Sequence, residues 1–101
     1  MTIQQFNPPH PGGVIERTYI EPFKEVTAAS IARELGVSKS TFSRLLAGKS
    51  AISPEMAVRL SAVLGRSAES WLLMQDNYDL WKARQMVNSD QLERIDFNKV
   101  A

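Results

Sequence analysis

The sequence predicts a small all-α domain of five helices, and two kinds of observation predict it. Hydroxyl residues that can cap a helix precede four of the five expected helices, at Thr27, Ser38, Ser53 and Ser67. Between these caps, apolar residues recur at spacings of three and four, with glycine at the predicted helix ends. This pattern is typical of short helices packed around one core.

Composition limits the classes of protein that fit. The chain has 101 residues, of which 44% are apolar, which is enough for one compact core. It has no cysteine, and no segment resembles a signal peptide or a membrane span. We therefore expect a cytoplasmic protein without disulfides and without a membrane partner.

The first ten residues predict an extended arm, because Pro8, Pro9 and Pro11 prevent a helix from starting earlier. Phe6 could pack against another surface. His10 is the single histidine of the chain. In this proline-rich arm it is expected to cap or turn the chain rather than to bind metal or act as a base.

A first helix is predicted from Pro11 or Gly12 to about Ile20. Its expected inward side chains are Val14, Ile15 and Thr18. Pro22 should end it, and Phe23 should return to the core.

Residues 27–48 predict two short helices joined by a tight turn. The helices should span about 27–35 and 38–47, with Gly36 supplying positive φ between them. Ala32 is small where the second helix must cross the first. Two capped helices around one glycine form a helix-turn-helix.

The second of these helices has two unlike faces. Phe42, Leu45 and Leu46 share the side expected to dock on the core. The opposite side is small, hydroxylated and cationic, which fits the major groove of DNA because arginine can pair bidentately with guanine. The alternative is an ordinary helical hairpin with a solvated polar face.

Charge is concentrated on the same segment. Residues 24–50 carry five lysines and arginines against two glutamates, a net charge of +3, whereas the whole chain has +1.

Gly48, Lys49 and Ser50 resemble the end of a nucleotide-binding loop, but that motif needs a glycine where this chain has Ser43. We therefore predict a connector whose lysine and backbone amides meet DNA phosphates.

Two further helices complete the predicted domain. The fourth follows Ser53, and its expected buried stripe is Met56, Leu60, Val63 and Leu64. The fifth runs from Ser67 at least to Arg84 and is apolar on more than one face. Trp71 and Leu72 are expected in the core, whereas Leu80 and Trp81 could belong either to the core or to a partner interface.

No constellation of residues predicts catalysis, a metal site or a cofactor. Asp76 and Asp79 lie three apart on the fifth helix, and a solvated face explains them better than paired catalytic carboxylates. We expect that the protein is not an enzyme.

The C-terminal segment is predicted to lie outside the helical domain. Residues 92–100 alternate loosely, with Ile95 and Phe97 on one side, so a short strand that pairs with a second protomer is one expectation. An extended tail or a disordered terminus is the alternative. The predicted organisation is an arm (1–10), a helix-turn-helix domain (11–85) and a tail (86–101) that is a candidate dimerisation segment.

The helical pattern resembles phage-repressor DNA-binding domains. More specifically, HPGGVIERTYIEP at 10–22 and SWLLMQDNYDLWKAR at 70–84 resemble the HigA family of bacterial antitoxins, over roughly residues 7–85. The resemblance implies a homodimer that binds double-stranded operator DNA, represses its own operon and neutralises a HigB-like toxin, a ribosome-dependent mRNA endonuclease.

The same resemblance implies roles for individual residues. The residues that it places at the bases are Lys39, Ser40, Thr41, Ser43 and Arg44. Those near phosphates are Thr27, Ser38, Lys49 and Ser50. The resemblance does not extend to the dimer or toxin interface, and the residues themselves offer as candidates Phe6, Leu80, Trp81, Ile95 and Phe97.

Two alternative functions are also compatible with the sequence. One is a stand-alone transcription factor without a toxin, and the other is a protein-interaction module whose helix-turn-helix no longer binds DNA. A dimer has independent physical support, because one short helix reads only a few base pairs.

Overall fold

The computed structural model describes residues 7–100, and every regular element within that range is a helix. The elements in order are α1 (Pro11–Ile15) with a π-helical continuation (Glu16–Ile20), α2 (Ala28–Leu35), α3 (Lys39–Leu46), α4 (Pro54–Leu64), α5 (Ala68–Met86) and a short 3₁₀ turn (Ser89–Gln91). The prediction of an all-α, five-helix domain is confirmed.

All four predicted hydroxyl caps form. The side chains of Thr27, Ser38, Ser53 and Ser67 each accept a hydrogen bond from the backbone N–H three residues later, at 3.0–3.1 Å. Each bond satisfies a donor that a helix N-terminus leaves without an intrahelical partner. The starts of α2 to α5 therefore follow from local sequence.

The helices enclose one core. Its buried apolar members are Ile15, Ile31, Ala32, Leu35, Phe42, Leu45, Ile52, Ala57, Leu60 and Trp71. Helix α3 packs against α1 and α2, and α4 packs against α2 and α5. The two helices of the helix-turn-helix are thus held from both sides by the rest of the domain.

The first helix changes its winding midway, and this corrects two predictions. The N–H of Glu21 bonds to the carbonyl of Glu16 five residues earlier, at 2.9 Å. A π-turn rotates less per residue than an α-turn, so Tyr19 and Ile20 pack on the core while Thr18 is exposed. The following turn directs Val26 to the core and leaves Phe23 54% exposed.

The inward face of α4 is narrower than predicted. Ala57 and Leu60 are buried, and Met56 and Leu64 pack at its edges, but Val63 is 37% exposed. Val63 follows Ala57 by six residues, which at about 100° per residue places it about 120° away from Ala57 around the helix axis, outside the buried stripe.

The last part of the chain is exposed and does not pack into the core of the domain. Every residue from 82 to 100 is exposed and the described residues include no strand, so within the single chain this segment follows the extended-tail alternative. A lone segment has no neighbour to take its backbone hydrogen bonds, and local turns such as Asn98 N–H to Asp96 Oδ1 form instead. Within residues 7–100 no helix is long and apolar enough to cross a membrane.

Candidate nucleic-acid interface

The turn between α2 and α3 has a fixed geometry. Gly36 adopts φ +74°, and the Val37 N–H bonds back to the Ala32 carbonyl at 3.1 Å, which is the pattern that closes many helix C-termini. From α4, Arg59 Nη1 donates to the Leu35 carbonyl at 2.7 Å. These bonds fix the angle between α2 and α3.

The N-terminus of α2 is closed by a reciprocal pair. Thr27 Oγ1 accepts from the Ser30 N–H, and Ser30 Oγ accepts from the Thr27 N–H, both at 3.0 Å. Because Thr27 Oγ1 acts only as an acceptor in this pair, its hydroxyl proton remains available to a phosphate oxygen. The predicted role of Thr27 as the N-cap of α2 is confirmed, and its contact with phosphate stays a prediction.

Helix α3 is anchored by its apolar side. Phe42 and Leu45 are 0% and 1% exposed. Helix α1 crosses α3 at Gly12, where an added Cβ would overlap the Leu45 carbonyl oxygen and lie 2.9 Å from the Leu46 Cα. The backbones of α1 and α3 are in direct contact at this crossing, so the absence of a side chain at Gly12 sets how closely the two helices approach.

The outer side of α3 presents the residues that the sequence analysis assigned to base reading. All of them are exposed, namely Lys39, Ser40, Thr41, Ser43 and Arg44. Among the described residues one ion pair forms, between Arg59 and Glu55 on α4, so neither Lys39 nor Arg44 is neutralised by an internal carboxylate. Their charge is directed to solvent.

Hydroxyl groups cluster where α3 begins. Ser38 Oγ accepts from the Thr41 N–H at 3.1 Å and donates to Thr41 Oγ1 at 2.8 Å, and Ser40 Oγ lies 3.3 Å from it. The Ser38 proton is thus directed within the protein, whereas Thr41 keeps a free proton. Ser38 acts first as the cap of α3 and orders its neighbours.

The loop after α3 begins with a second left-handed glycine. Gly48 adopts φ +75°, and the Lys49 N–H bonds to the Arg44 carbonyl at 2.9 Å. Lys49 is exposed and Ser50 is half-buried. The two proposed phosphate contacts therefore follow directly from the last turn of α3, on a backbone path that continues to the buried Ile52.

Comparison with known proteins also identifies a helix-turn-helix protein. The helix-turn-helix family model HTH_3 matches residues 24–71. YddM, an HTH-type transcriptional regulator of Escherichia coli, is 39% identical over 88% of this chain and 93% of its own length. Antitoxin HigA-1 of Vibrio cholerae is 34% identical over 72% of this chain and 68% of its own. The chain belongs to the HigA-type helix-turn-helix family.

Solved HigA-type structures have the same fold. The antitoxin GraA in complex with its operator superimposes with a TM-score of 0.77 at 30% identity, over 95% of this chain and 99% of that one. Antitoxin HigA of Pseudomonas aeruginosa with the higBA promoter gives 0.72 at 33% identity, over 89% and 97%. The fold of this HigA-family chain is thus one that occurs on operator DNA.

Some residues that shape the interface were missed from the sequence. Gln75 is buried in α5, and its Oε1 accepts from the Ile52 N–H at 2.9 Å. Arg59 supports the turn from α4. No local signal in the sequence indicates that either residue reaches the helix-turn-helix, because both contacts join residues more than twenty positions apart.

His10 has the capping role that was predicted, at a position that matters for the loop. Its Nδ1 accepts from the Gly12 N–H at 2.9 Å. Burial lowers the pKa of His10 below its ordinary value of 6.5, against opposing effects of a hydrogen bond to the Ser50 backbone and of Asp79, while Lys82 adds to the lowering. His10 is therefore a neutral, structural histidine.

The partner-interface candidates among the described residues lie on the distal half of α5 and on the segment that follows it. Leu80 is 48% exposed, Trp81 is half-buried, and Ile95 and Phe97 are 60% and 72% exposed. Phe6 lies outside the described residues. Among residues 7–100 no group of three or more acidic, histidine or cysteine side chains could hold a metal ion.

Proposed function

We propose that this protein is a sequence-specific DNA-binding repressor that acts as the antitoxin of a toxin–antitoxin pair. The observation that carries the proposal is the outer side of α3, a cationic and hydroxylated surface without an internal counter-charge. The operator complexes of GraA and HigA support it. A repressor of this kind works in the cytoplasm, where the DNA is.

Base reading is assigned to α3. Arg44 has the planar pair of donors that matches O6 and N7 of guanine, and Lys39 can bind the same acceptors. The hydroxyls of Ser40, Thr41 and Ser43 suit either bases or nearby phosphates. Their common exposure on one short helix lets them enter the major groove together.

Phosphate binding is assigned to groups around the edges of α3. Lys49 supplies a charge, and Thr27 and Ser50 supply hydroxyls at the start of α2 and in the loop after α3. Ser38 contributes through the N-terminus of α3, which it caps and where free N–H groups attract anions. Such contacts set register and affinity but carry little sequence information.

A homodimer completes the proposed DNA-binding unit. One α3 of eight residues contacts only a few base pairs, whereas two copies about 34 Å apart would read successive turns of one groove. Residues 11–85 then form the DNA-binding domain of each protomer. The apolar side chains of the exposed segment after it, including Ile95 and Phe97, are assigned to contact between protomers.

The proposed protein partner is a HigB-like toxin, an mRNA endonuclease. The likeness to antitoxin HigA-1 supports this pairing. The candidate toxin surface is the distal part of α5, where Leu80 is exposed and Trp81 lies against Tyr78, with 6.3 Å between ring centroids and 40° between ring planes. The arm with Phe6 is the second candidate.

A growth test separates the antitoxin from a stand-alone repressor. The short reading frame adjacent to this gene is induced alone and then together with this protein. We expect growth arrest that co-expression relieves, because an antitoxin inactivates its toxin by forming a complex. Absence of arrest, or arrest that persists with this protein present, would leave a repressor without a toxin.

A binding test separates a repressor from a protein-interaction module. The protein is incubated with random duplexes, the bound duplexes are enriched, and the selected operator is compared with a scrambled duplex of the same composition. We expect tighter binding to the selected duplex by a factor of about 10³ or more. Equal affinity for both duplexes would contradict a role in sequence-specific repression.

A further inference from the structure

The loop that carries Lys49 and Ser50, residues 48–52, is held by side chains from distant parts of the chain. It begins at Gly48 in the left-handed region and ends at Ile52, which is 4% exposed. A loop has few backbone partners of its own, so the position of its charged side chain depends on what fixes the backbone. Two residues, Gln75 and His10, fix it here.

Gln75 holds the C-terminal side of the loop. It is 3% exposed and is the one buried polar side chain among residues 7–100. Its Oε1 accepts from the Ile52 N–H at 2.9 Å, and its Nε2 donates to Asp79 Oδ1 at 3.0 Å. Only this orientation of the amide satisfies both neighbours, so the side chain is fixed at both ends.

His10 holds the N-terminal side of the loop. A Cβ on Gly48 would lie 3.6 Å from the imidazole Cγ, so the ring packs directly against this turn. On its other side the ring meets Tyr78 of α5 edge-on, with 4.9 Å between the ring centroids. The loop is therefore enclosed between the start of α1 and the middle of α5.

We infer that Gln75, together with His10, is a positioning residue for DNA binding, which fixes residues 48–52 so that Lys49 and Ser50 meet the phosphate backbone. The inference rests on the proposed function. A loop that is ordered before binding loses less conformational entropy on the DNA, so its phosphate contact contributes more to affinity. Neither residue needs to touch DNA to have this effect.

The test is a double-variant cycle on DNA. Gln75→Met keeps the volume of the side chain but removes the acceptor for the Ile52 N–H. We expect it to weaken binding to the selected operator and to the scrambled duplex by the same several-fold factor. It should also reduce the salt slope by about one, as Lys49→Ala should, because one phosphate contact is lost in each.

Combining the variants isolates positioning from general damage. Adding Lys49→Ala to Gln75→Met should have little further effect, whereas adding Arg44→Ala should multiply the losses, since Arg44 lies on α3 and not on the loop. Losses that multiply for Lys49 as fully as for Arg44 would overturn the inference. Wild-type protein that binds neither duplex would overturn the proposed function and this inference with it.

A rescue variant guards against a folding defect. Gln75→Glu combined with Asp79→Asn keeps an acceptor for Ile52 and reverses the donor and acceptor of the second bond. We expect it to restore the wild-type salt slope and the slow hydrogen exchange of the Ile52 amide, both of which should be lost in Gln75→Met. A restored amide with a still reduced salt slope would overturn the positioning role.

Discussion

At the scale of single residues, Arg44 is the side chain on which sequence preference should depend most. It is exposed, has no internal carboxylate partner in the described chain and lies on the outer side of α3, in its last turn. We expect Arg44→Ala to lower the affinity for the selected operator by about 1–3 kcal/mol, because it deletes a base contact. Binding at matched salt measures this.

The matched control for Arg44 is Arg44→Lys, which keeps the charge but loses the fork of two donors. It should retain affinity for the scrambled duplex and still lose most of the discrimination against it. If Arg44→Ala binds the selected operator as tightly as the wild type does, Arg44 is not part of the base-reading surface.

His10 should make stability depend on pH. In the folded protein its pKa lies below 6.5, so the unfolded chain binds the proton more readily. The stabilisation is fully present above about pH 6.5 and is lost as the pH falls from there towards the lower pKa of the folded state. Protonation also removes the acceptor at Nδ1 for the Gly12 N–H.

The control for His10 is His10→Asn, because asparagine also caps helices but does not titrate in this range. Urea unfolding at several pH values between about 5 and 8 should give a steeper loss of stability on acidification for the wild type. Parallel curves for the two proteins would mean that His10 does not contribute to the pH dependence.

At the scale of elements, the crossing of α1 over α3 is the place where a Cβ added to a glycine would meet the backbone of another helix. Gly12→Ala places a methyl group against the Leu45 carbonyl, and both atoms belong to packed helices. We expect a loss of stability of about 1–3 kcal/mol from overpacking, measured by urea unfolding.

The next residue provides the control for Gly12. In Gly13→Ala the added Cβ would lie 2.9 Å from the Arg17 guanidinium, which is the flexible end of an exposed side chain and can move away. Alanine favours a helix over glycine by about 1 kcal/mol, so Gly13→Ala should be neutral or stabilising. Equal destabilisation by both substitutions would argue against a tight crossing at Gly12.

The helices and their starts could be predicted from the sequence because the determining contacts are local. Thr27 and Ser38 bond to N–H groups only three residues away. The outer side of α3 followed from helical spacing alone. By contrast, Gln75 meets Ile52 across 23 residues, and no periodicity reports such a contact.

The errors have equally physical causes. The spacing of a regular α-helix predicts Thr18 in the core. The π-helical turn at Glu16–Ile20 has more residues per turn, so Tyr19 and Ile20 face the core instead. The strand expected around Ile95 and Phe97 needs a neighbouring strand, which one chain does not supply among residues 7–100.

At the scale of the whole molecule, the chain has an elongated form, 62 Å long and about 25 Å across. Residues 82–100 extend beyond the packed domain with their apolar side chains exposed. We expect truncation after Met86 to shift a dimer towards monomer in sedimentation and to weaken operator binding, because paired half-sites need paired domains.

The control for the truncation is the full-length variant Ile95→Ser with Phe97→Ser, which keeps the chain length but removes the two apolar side chains. It should weaken the dimer as well. A dimer that survives truncation would exclude the tail as the interface and leave the distal part of α5, around Leu80 and Trp81, as the candidate.

The enclosure of residues 48–52 bears on how far this DNA-binding unit can be transplanted. The segment shared with the helix-turn-helix family, residues 24–71, contains both helices and the loop after them. His10 and Gln75 lie on either side of that segment. A chimera that received residues 24–71 alone would keep the base-reading side chains of α3. It would lack His10 and Gln75, which hold the loop that carries Lys49. Swapping operator preference between relatives therefore calls for exchanging the exposed side chains of α3, not the whole motif.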